Sequence, residues 1–320
     1  MRLVAVKEQS RIRVFLDSDL VHNFKQSPVA ILATLMTLAC FIVAAFAPVL
    51  APHCVEPVCL DLMDGLTPPA WADYGTPQYP LGTDEQGRDI LSSIFYAARV
   101  SLIVGFAAVA FAMVLGVGLG VIAGYFGGLV DAVIMRLADM QLTFPSILVA
   151  LLIAGVVRSI LTDLTDRGVL SGIAFEDVAV FVLIVAIGLS DWPRFARVAR
   201  GATMVELNKG YVAAARVLGL PARRIMLRHV LPNLMGPVLV IATLGLALAI
   251  IAEATLSFLG VGVPPTNPSL GTLINIGNQY LFSGEWWITF FPALALVVLV
   301  LSVNVIGDWL RDALNPRLQR

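Results

Sequence analysis

The side chains that most often carry out chemistry are few in this chain and far apart. The three histidines, His22, His53 and His229, are widely separated, and none stands at the spacing of a metal-ligand set. No lysine follows a glycine, so the chain lacks the Gly-x-x-x-x-Gly-Lys-[Ser/Thr] loop that cradles ATP phosphates. A Gly-x-Ser-x-Gly nucleophile elbow is also missing. The sequence therefore predicts a protein with no catalytic apparatus and no metal site of its own.

Two cysteines could form a covalent link. Cys54 and Cys59 flank a short polar loop, with four residues between them. If this loop faces an oxidising compartment, a small disulfide can form; otherwise the two are free thiols, and both alternatives stay open. His53 stands beside Cys54, but three loop residues rarely make a metal site without a fourth ligand. Cys40 lies within an apolar run, where we expect it only to fill space.

Glu253 is an ionisable residue inside an apolar run. Such a group is costly in a membrane and usually faces a cavity or a partner. One interpretation places Glu253 on a translocation path, together with Ser257 and Phe258. The other is structural: Glu253 lies near the end of its run, where it could cap backbone groups or pair with an arginine of a neighbouring subunit.

The elements that position these residues must be helices in a lipid bilayer. Of the 320 residues, 58% are hydrophobic and 13% charged, against about 25% charged in soluble domains. The mean hydropathy is +0.88. A transmembrane helix takes about 20 apolar residues. The apolar runs are residues 28–50, 100–125, 142–157, 178–190, 234–259 and 286–310. The pattern predicts an all-α membrane protein with about six transmembrane helices.

Several boundaries follow from local signals. Prolines make residues 51–99 mostly loop, and the amphipathic pattern from Asp84 onward predicts a short surface helix leading into the second span. Gly116 and Gly120 form a Gly-x-x-x-Gly pair, which indicates close packing against another helix. Pro145 predicts a break between a charged half, at the interface, and the apolar third span.

The distribution of lysine and arginine indicates the orientation. Six spans place both termini on one side, and that side carries 17 of the 21 basic residues. The other side carries four: Arg88, Arg99, Arg158 and Arg167. By the positive-inside rule, the N-terminal segment 1–27, the loop 191–233 and the tail 311–320 are cytoplasmic. The proline-rich loop 51–99 is then external.

The loop 191–233 is too long for a simple connector and has helical parts of its own. Residues 211–218 are rich in alanine and favour a helix. Gly219 stands where a C-terminal cap belongs, and Pro221 suits the first turn of a second helix. A short rigid helix of this kind could seat in a groove on a cytoplasmic partner. A basic helix resting on anionic lipid is the alternative.

This loop resembles the EAA loop of ABC-importer permeases. The resemblance rests on the motifs Tyr-Val-x-Ala-Ala-Arg-x-Leu-Gly and Arg-His-x-Leu-Pro-Asn. The segments PLGTDEQGRDILSSIFYAARVSL, AGYFGGLVDAVIMRLAD, EATLSFLGVGVPP and GDWLRDALNPRL are similar to the dipeptide/oligopeptide permeases, specifically their second ("C") transmembrane subunit. The glutamate that names the EAA motif is replaced here by Ala213, so its polar contact is absent or supplied elsewhere.

The resemblance implies a type I ABC-importer permease fold and a division of labour. The chain would form half of a pore in the bacterial inner membrane, with a homologous second permease as the other half. Two cytoplasmic ATPase subunits would bind ATP and Mg, and an external binding protein would deliver di- or oligopeptides. We expect no cofactor in this chain and no nucleic-acid partner.

The resemblance also assigns residues. The ATPase-docking residues would be Tyr211, Ala213, Ala214, Ala215, Arg216, Gly219, Arg228 and His229. The topology adds a second group, since Gly82, Asp84, Arg88 and Asp89 face outside. They would contact the binding protein or gate the pore, or simply form a turn into the surface helix.

Two alternative functions stay open at this point. An ion-coupled secondary transporter usually shows internal repeats and broken helices with intramembrane charges, and this chain shows no repeat. An ABC permease could also carry a non-peptide substrate, such as a metal chelate or glutathione. In domain terms, the sequence divides into the N-terminal segment 1–27, a first helix 28–50, the external part 51–99, a permease core 100–310 and the tail 311–320.

Overall fold

The computed structural model describes residues 27–54, 62–167 and 175–313, and in these ranges every regular element is a helix. The α-helices of eight residues or more are, in chain order, α1 (Pro28–Ala45), α2 (Ile90–Phe126), α3 (Gly128–Leu142), α4 (Ser146–Asp166), α5 (Phe175–Leu207), α6 (Gly210–Val217), α7 (Leu231–Phe258), α8 (Leu270–Tyr280) and α9 (Trp287–Ala313). A short helix, Ala222–Ile225, and a π-helical turn, Met226–Val230, lead directly into α7.

Six of these helices are long and apolar enough to cross a membrane, which confirms the predicted all-α membrane protein. They are α1, α2, α4, α5, α7 with its preceding turns, and α9. The remaining helices, α3, α6 and α8, lie between spans. The core forms where α2 packs along α5, with α7 against both and α9 against α1 and α7.

Glycines on one side of α2 allow its close contact with α5. A β-carbon added at Gly116 would lie 2.4 Å from the Trp192 carbonyl oxygen. At Gly120 it would lie 2.4 Å from the Ala196 carbonyl oxygen. Because glycine has no side chain, the backbones of α2 and α5 can approach closely here. In lipid the hydrophobic effect does not hold helices together, so the dispersion contacts of this close packing stabilise the pair. The helix partner that the Gly-x-x-x-Gly pattern indicated is therefore α5.

Replacing Gly120 with valine is expected to destabilise the bundle by about 1–3 kcal/mol or more, because the side chain forces α2 away from α5. The matched control is Gly118→Val, since a β-carbon there has no atom within 4 Å. Thermal unfolding of the detergent-solubilised chain measures the difference. Equal midpoints for the two variants would contradict the packing described here.

Several boundaries differ from the sequence prediction. The predicted surface helix is not a separate element, because α2 runs without interruption from Ile90 to Phe126. Its first turns are buried, with Ile90 1% and Ala97 0% exposed, so the amphipathic pattern reflects packing within the chain. The third span extends beyond the predicted end at residue 157, since α4 continues to Asp166.

The third difference concerns the loop predicted at 191–233. Helix α5 continues through Pro193 to Leu207, so residues 191–207 belong to a helix that is continuous with the fourth span. The charged residues in this stretch suggested a loop. In the structure, two arginines of this part of α5 form ion pairs with aspartates on α3. Arg197 Nη2 lies 2.7 Å from Asp139 Oδ1, and Arg200 Nη2 lies 2.6 Å from Asp131 Oδ2.

These pairs also explain α3. The sequence analysis assigned the charged residues of this segment to the interfacial half of the third span. In the structure they form a separate helix, which ends before Pro145. Pro145 precedes α4 as predicted. The hydrogen bond from Arg200 lowers the pKa of Asp131, which keeps its carboxylate ionised at neutral pH. The ion pair therefore stabilises the fold fully at pH values above the ordinary pKa of aspartate. This stabilisation is lost as the pH falls through the lowered pKa that Asp131 has in the folded protein.

Candidate docking and transport sites

Helix α6 has the cap that the sequence predicts, and its boundaries lie one residue before the predicted 211–218. It ends at Val217, and Gly219 follows with a φ of 71°, in the left-handed region. The Leu220 N–H donates to the Ala215 carbonyl at 3.2 Å and the Gly219 N–H to the Arg216 carbonyl at 3.0 Å. This C-terminal cap favours glycine because only glycine adopts that backbone without strain. Pro221 then precedes the helical turn Ala222–Ile225.

A polar cluster fixes the start of α6 to its neighbours. The Tyr211 hydroxyl donates to the Glu206 carboxylate at the end of α5, and Lys209 Nζ lies 2.5 Å from Glu206 Oε1. Asn233 Nδ2, on α7, donates to the Tyr211 hydroxyl at 3.2 Å and to the His229 carbonyl at 2.6 Å. Helices α5, α6 and α7 are thus joined at one point, so a displacement of α6 can reach two spans.

The hydroxyl at the centre of this cluster stays protonated. Burial and the hydrogen bond to the Glu206 carboxylate together raise the pKa of Tyr211 to about 12. A neutral phenol can donate to the carboxylate, whereas a phenolate could only repel it. The cluster is therefore independent of the charge of Tyr211 across physiological pH.

Tyr211→Phe is expected to loosen α6, since the variant deletes the donor to Glu206 and the acceptor for Asn233. A hydrogen bond to a charged group contributes about 1.5–3 kcal/mol at most, and partial solvent exposure reduces this. Hydrogen–deuterium exchange of residues 210–217 should become faster, while Tyr74→Phe, at a position 95% exposed, should change nothing. Unchanged exchange in Tyr211→Phe would mean that the cluster does not hold α6.

The two sides of α6 differ in exposure. Val212 and Ala215 are buried against the bundle. Ala213, Ala214, Val217 and Leu218 are exposed, with Val217 at 88% and Leu218 at 78%. An apolar surface of this kind, held rigidly outside the transmembrane helices, is typical of a site that another protein covers.

The predicted docking residues divide accordingly. Ala213 and Ala214 lie on the exposed side with Tyr211 and Gly219, whereas Ala215 faces inward. The Arg216 guanidinium lies over the ring of Tyr125, 5.7 Å from its centroid, and so ties α6 to the end of α2. Arg228 is exposed, and the carbonyl of His229 accepts the bond from Asn233.

Glu206 is a residue that sequence reasoning missed. It supplies a carboxylate beside α6 although the EAA glutamate is replaced by Ala213. The only sequence feature that could have indicated a contact between Glu206 and Tyr211 is their spacing of five residues. That spacing becomes informative only when α5 is known to continue to Leu207. The sequence had suggested a loop at that position.

Glu253 lies inside the protein, where its carboxyl group accepts hydrogen bonds from serine hydroxyls. It is 0% exposed. Ser101 Oγ on α2 donates to Glu253 Oε2 at 2.8 Å, and Ser257 Oγ donates to Oε1 at 2.7 Å. Each hydroxyl also accepts a backbone N–H: Leu270 at 3.3 Å for Ser101 and Val263 at 3.2 Å for Ser257. The carboxylate thus links α2, α7 and the segment that leads to α8.

This geometry favours the structural interpretation of Glu253. Neither Glu253 nor Ser257 reaches the surface of the chain, and Phe258 is 36% exposed. Both carboxylate oxygens are occupied by serine hydroxyls of the same chain, and the hydroxyls in turn cap backbone N–H groups. No arginine among the described residues bonds to this carboxylate.

The residues from Gly82 to Asp89 form a compact buried turn. Arg88 Nε lies 2.6 Å from Asp84 Oδ2, and Arg88 Nη1 donates to the Pro265 carbonyl at 3.1 Å. Asp89 caps α2 through the N–H of Leu91 and Ser92. Gly82 is packed under Trp287, whose Nε1 donates to the Thr83 carbonyl at 3.2 Å.

Burial limits what this turn can contact. Asp84, Arg88 and Asp89 are 2%, 4% and 1% exposed, so their side chains offer no surface to a partner. The geometry supports the turn interpretation, since Asp89 holds the turn to the start of α2 and Arg88 holds it to the Pro265 carbonyl. Burial raises the pKa of the neighbouring Glu85.

The cysteines are distributed as follows. Cys54 is disulfide-bonded and Cys40 is a free thiol. Cys59, the partner that the sequence suggests, lies outside the described residues, as do residues 1–26 and 314–320 of the two terminal segments. No group of three metal-ligating side chains occurs among the described residues.

Comparisons with known proteins define the class. Residues 116–320 match the family described as binding-protein-dependent transport system inner membrane component. The fold is similar to a chain in the structure of the MetNI methionine ABC transporter, with a TM-score of 0.53 and 20% identity, over 71% of this chain and 98% of that one. The chain therefore belongs to this family of inner-membrane transport components, and it has the fold of an ABC-importer permease.

More similar relatives narrow the class. The dipeptide transport system permease protein DppC of Escherichia coli is 39% identical over 299 residues, 93% of this chain and 92% of that protein. DppC of Haemophilus influenzae is 36% identical over 93% of each chain. The di/tripeptide transport system permease protein DppC of Pseudomonas aeruginosa is 36% identical over 93% of this chain and 91% of that one. The resemblance to the dipeptide/oligopeptide permeases is confirmed.

Proposed function

We propose that this chain forms half of the pore of an ATP-driven importer of di- and oligopeptides in the bacterial inner membrane. The other half is a homologous second permease, and a binding protein outside the membrane delivers the peptide. The observation that carries the proposal is α6, a rigid helix outside the transmembrane bundle with an exposed apolar side. The names of the DppC relatives support di- and tripeptides as the substrate class.

The energy comes from two cytoplasmic ATPase subunits, which bind ATP and Mg. This division of labour is supported by the absence of a phosphate-binding loop in the sequence. The ATPases dock onto the exposed side of α6, and the cluster of Glu206, Tyr211 and Asn233 passes the movement of α6 to α5 and α7. The permease thereby opens and closes without any bond-making step of its own.

The same proposal includes an orientation of the chain in the membrane. Residues 208–230 face the cytoplasm with both termini, and residues 62–89 face outward. The excess of lysine and arginine on one side supports this arrangement. The disulfide-bonded Cys54 lies at the outward end, where an oxidising compartment suits a disulfide.

Purification of the full-length chain from its own bacterium in mild detergent tests the assembly. Mass spectrometry should identify a second permease and one or two kinds of ATP-hydrolysing subunit in the purified complex. Recovery of the chain alone, with uptake that follows an ion gradient, would favour the secondary transporter instead.

A further inference from the structure

A groove with apolar walls runs between α2 and the start of α7. It follows α2 from Met113 to Ile122, roughly 14 Å at the rise of an α-helix. Met226, Leu231 and Met235 form the opposite wall, and the volume of the groove is about 450 Å³. This volume lies in the range of small-molecule sites, about 300–1,000 Å³. Two separate spans therefore form the walls of one groove.

One charged side chain, that of Arg223, borders the groove. Arg223 is the second residue of the span Ala222–Phe258, and the other wall lies close to the end of the span Ile90–Phe126. These ends meet α6, because the Arg216 guanidinium lies over the ring of Tyr125. The positive charge thus stands at the end of a span, which is where the headgroup of a phospholipid lies.

The charge of Arg223 is not neutralised within the part of the chain that the structure describes. Its side chain is exposed. Arginines of α5, by contrast, have aspartate partners, as in the pairs of Arg197 with Asp139 and of Arg200 with Asp131. No described carboxylate forms such a pair with Arg223. The groove therefore combines apolar walls with one positive charge, which complements an anionic amphiphile.

The side chains of the walls favour a thin, flexible ligand over a helix of another subunit. Where α2 and α5 pack closely, Gly116 and Gly120 line the contact, as is usual between helices in lipid. Eleven residues line the groove, and all except Gly118 have long or branched side chains. Three of them are methionines, whose flexible side chains adapt to ligands of variable shape.

We propose that this groove binds an anionic phospholipid, with an acyl chain between α2 and α7 and the phosphate against Arg223. A guanidinium presents a planar fork of donors that matches two phosphate oxygens. Basic pockets between transmembrane helices recognise phospholipid headgroups in this way. The acyl chain also contacts the π-helical turn Met226–Val230 and so steadies the segment between α6 and α7. The cytoplasmic leaflet follows from the proposed orientation, whereas binding does not depend on the transported substrate.

A photoreactive phosphatidylglycerol with a diazirine in its acyl chain tests the site in the complete complex. Peptide mass spectrometry should find the label on residues 113–122 and 226–235. Unlabelled phosphatidylglycerol should compete about tenfold better than phosphatidylethanolamine, whose ammonium group balances its phosphate. Equal competition by the two lipids would overturn the proposal, because the groove would then contact bulk lipid without selecting an anion.

Two pairs of variants identify the contacts. Arg223→Gln should lower labelling at limiting probe about tenfold. Arg224→Gln removes the same charge from a side chain that does not border the groove, so its labelling should match the wild type. Gly118→Leu should abolish labelling, because its side chain fills the groove. Gly155→Leu on α4 is the matched control, since a β-carbon at either glycine has no atom within 4 Å.

The unfolding midpoints in lipid-free detergent should be the same for all four variants. Arg223→Gln adds no bulk, so it keeps the test decisive even if Gly118→Leu is unstable. Undiminished labelling of Arg223→Gln would contradict the proposal. If the wild type takes up no label and Gly118→Cys cross-links to the second permease, the groove is a subunit interface and the proposal is wrong. Peptide uptake enters neither readout, so a failure of the proposed function leaves this test intact.

Discussion

A chain that carries Val217→Asp together with Leu218→Asp is expected to lose its ATPase subunits on purification. Both side chains are apolar and almost fully exposed on the side of α6 that we assign to docking. Burying two carboxylates against a partner leaves uncompensated charges, and central interface residues each contribute about 2 kcal/mol or more. Loss of two such contacts weakens binding by a factor on the order of 1,000.

The fold should survive this change, because Val212 and Ala215 hold α6 and neither is altered. Phe282→Asp is the matched control: Phe282 is 96% exposed and lies just after α8, away from α6. That variant should retain its ATPases. The measurement is the ratio of ATPase to permease on the gel, together with the ATPase activity of the eluate. If the variant with both aspartates retained its ATPase subunits fully, α6 would not be part of the docking site.

The second large effect concerns Glu253. Glu253→Ala is expected to lower the free energy of unfolding by about 3 kcal/mol, since it opens a cavity and removes the acceptor of two buried hydroxyl groups. Glu253→Gln keeps one acceptor oxygen and nearly the same shape, so we expect a smaller loss, about 1 kcal/mol. Unfolding midpoints of the purified chain in detergent measure both.

A double-mutant cycle with Ser101→Ala identifies the partner. If the bond between Ser101 and Glu253 holds α2 to α7, the two changes together should cost less than their sum. Transport separates the two interpretations of Glu253. The structural one predicts that Glu253→Gln transports peptide at nearly the wild-type rate once folded. A folded Glu253→Gln variant without transport would instead place this carboxylate on the path.

Much of the fold could be predicted from the sequence because lipid imposes a simple rule. Apolar runs of about 20 residues become spans, and α6 could be predicted from its alanines and from the glycine that caps it. Pro145 marked the start of α4 for the same local reason. These signals depend on residues that are neighbours in the chain, which is why they could be recognised without coordinates.

The features that depended on distant residues could not be predicted. Helix α5 continues to Leu207 because Arg197 and Arg200 find carboxylates on α3, and no local pattern shows that pairing. Likewise, Asp84 and Arg88 have the sequence context of surface charges. The structure buries them because the chain folds so that the Pro265 carbonyl accepts a hydrogen bond from Arg88. Glu253 could be singled out as costly, but one of its partners, Ser101, lies on α2 and far away in the sequence.

The most direct test of the account is ATP-dependent uptake. The full complex, reconstituted in liposomes with its binding protein outside and ATP inside, should accumulate a labelled dipeptide. Accumulation should stop when ATP is omitted or when the chain carries Val217→Asp and Leu218→Asp. Accumulation that continues without ATP and follows a proton or sodium gradient would contradict the assignment of this chain to an ATP-driven importer.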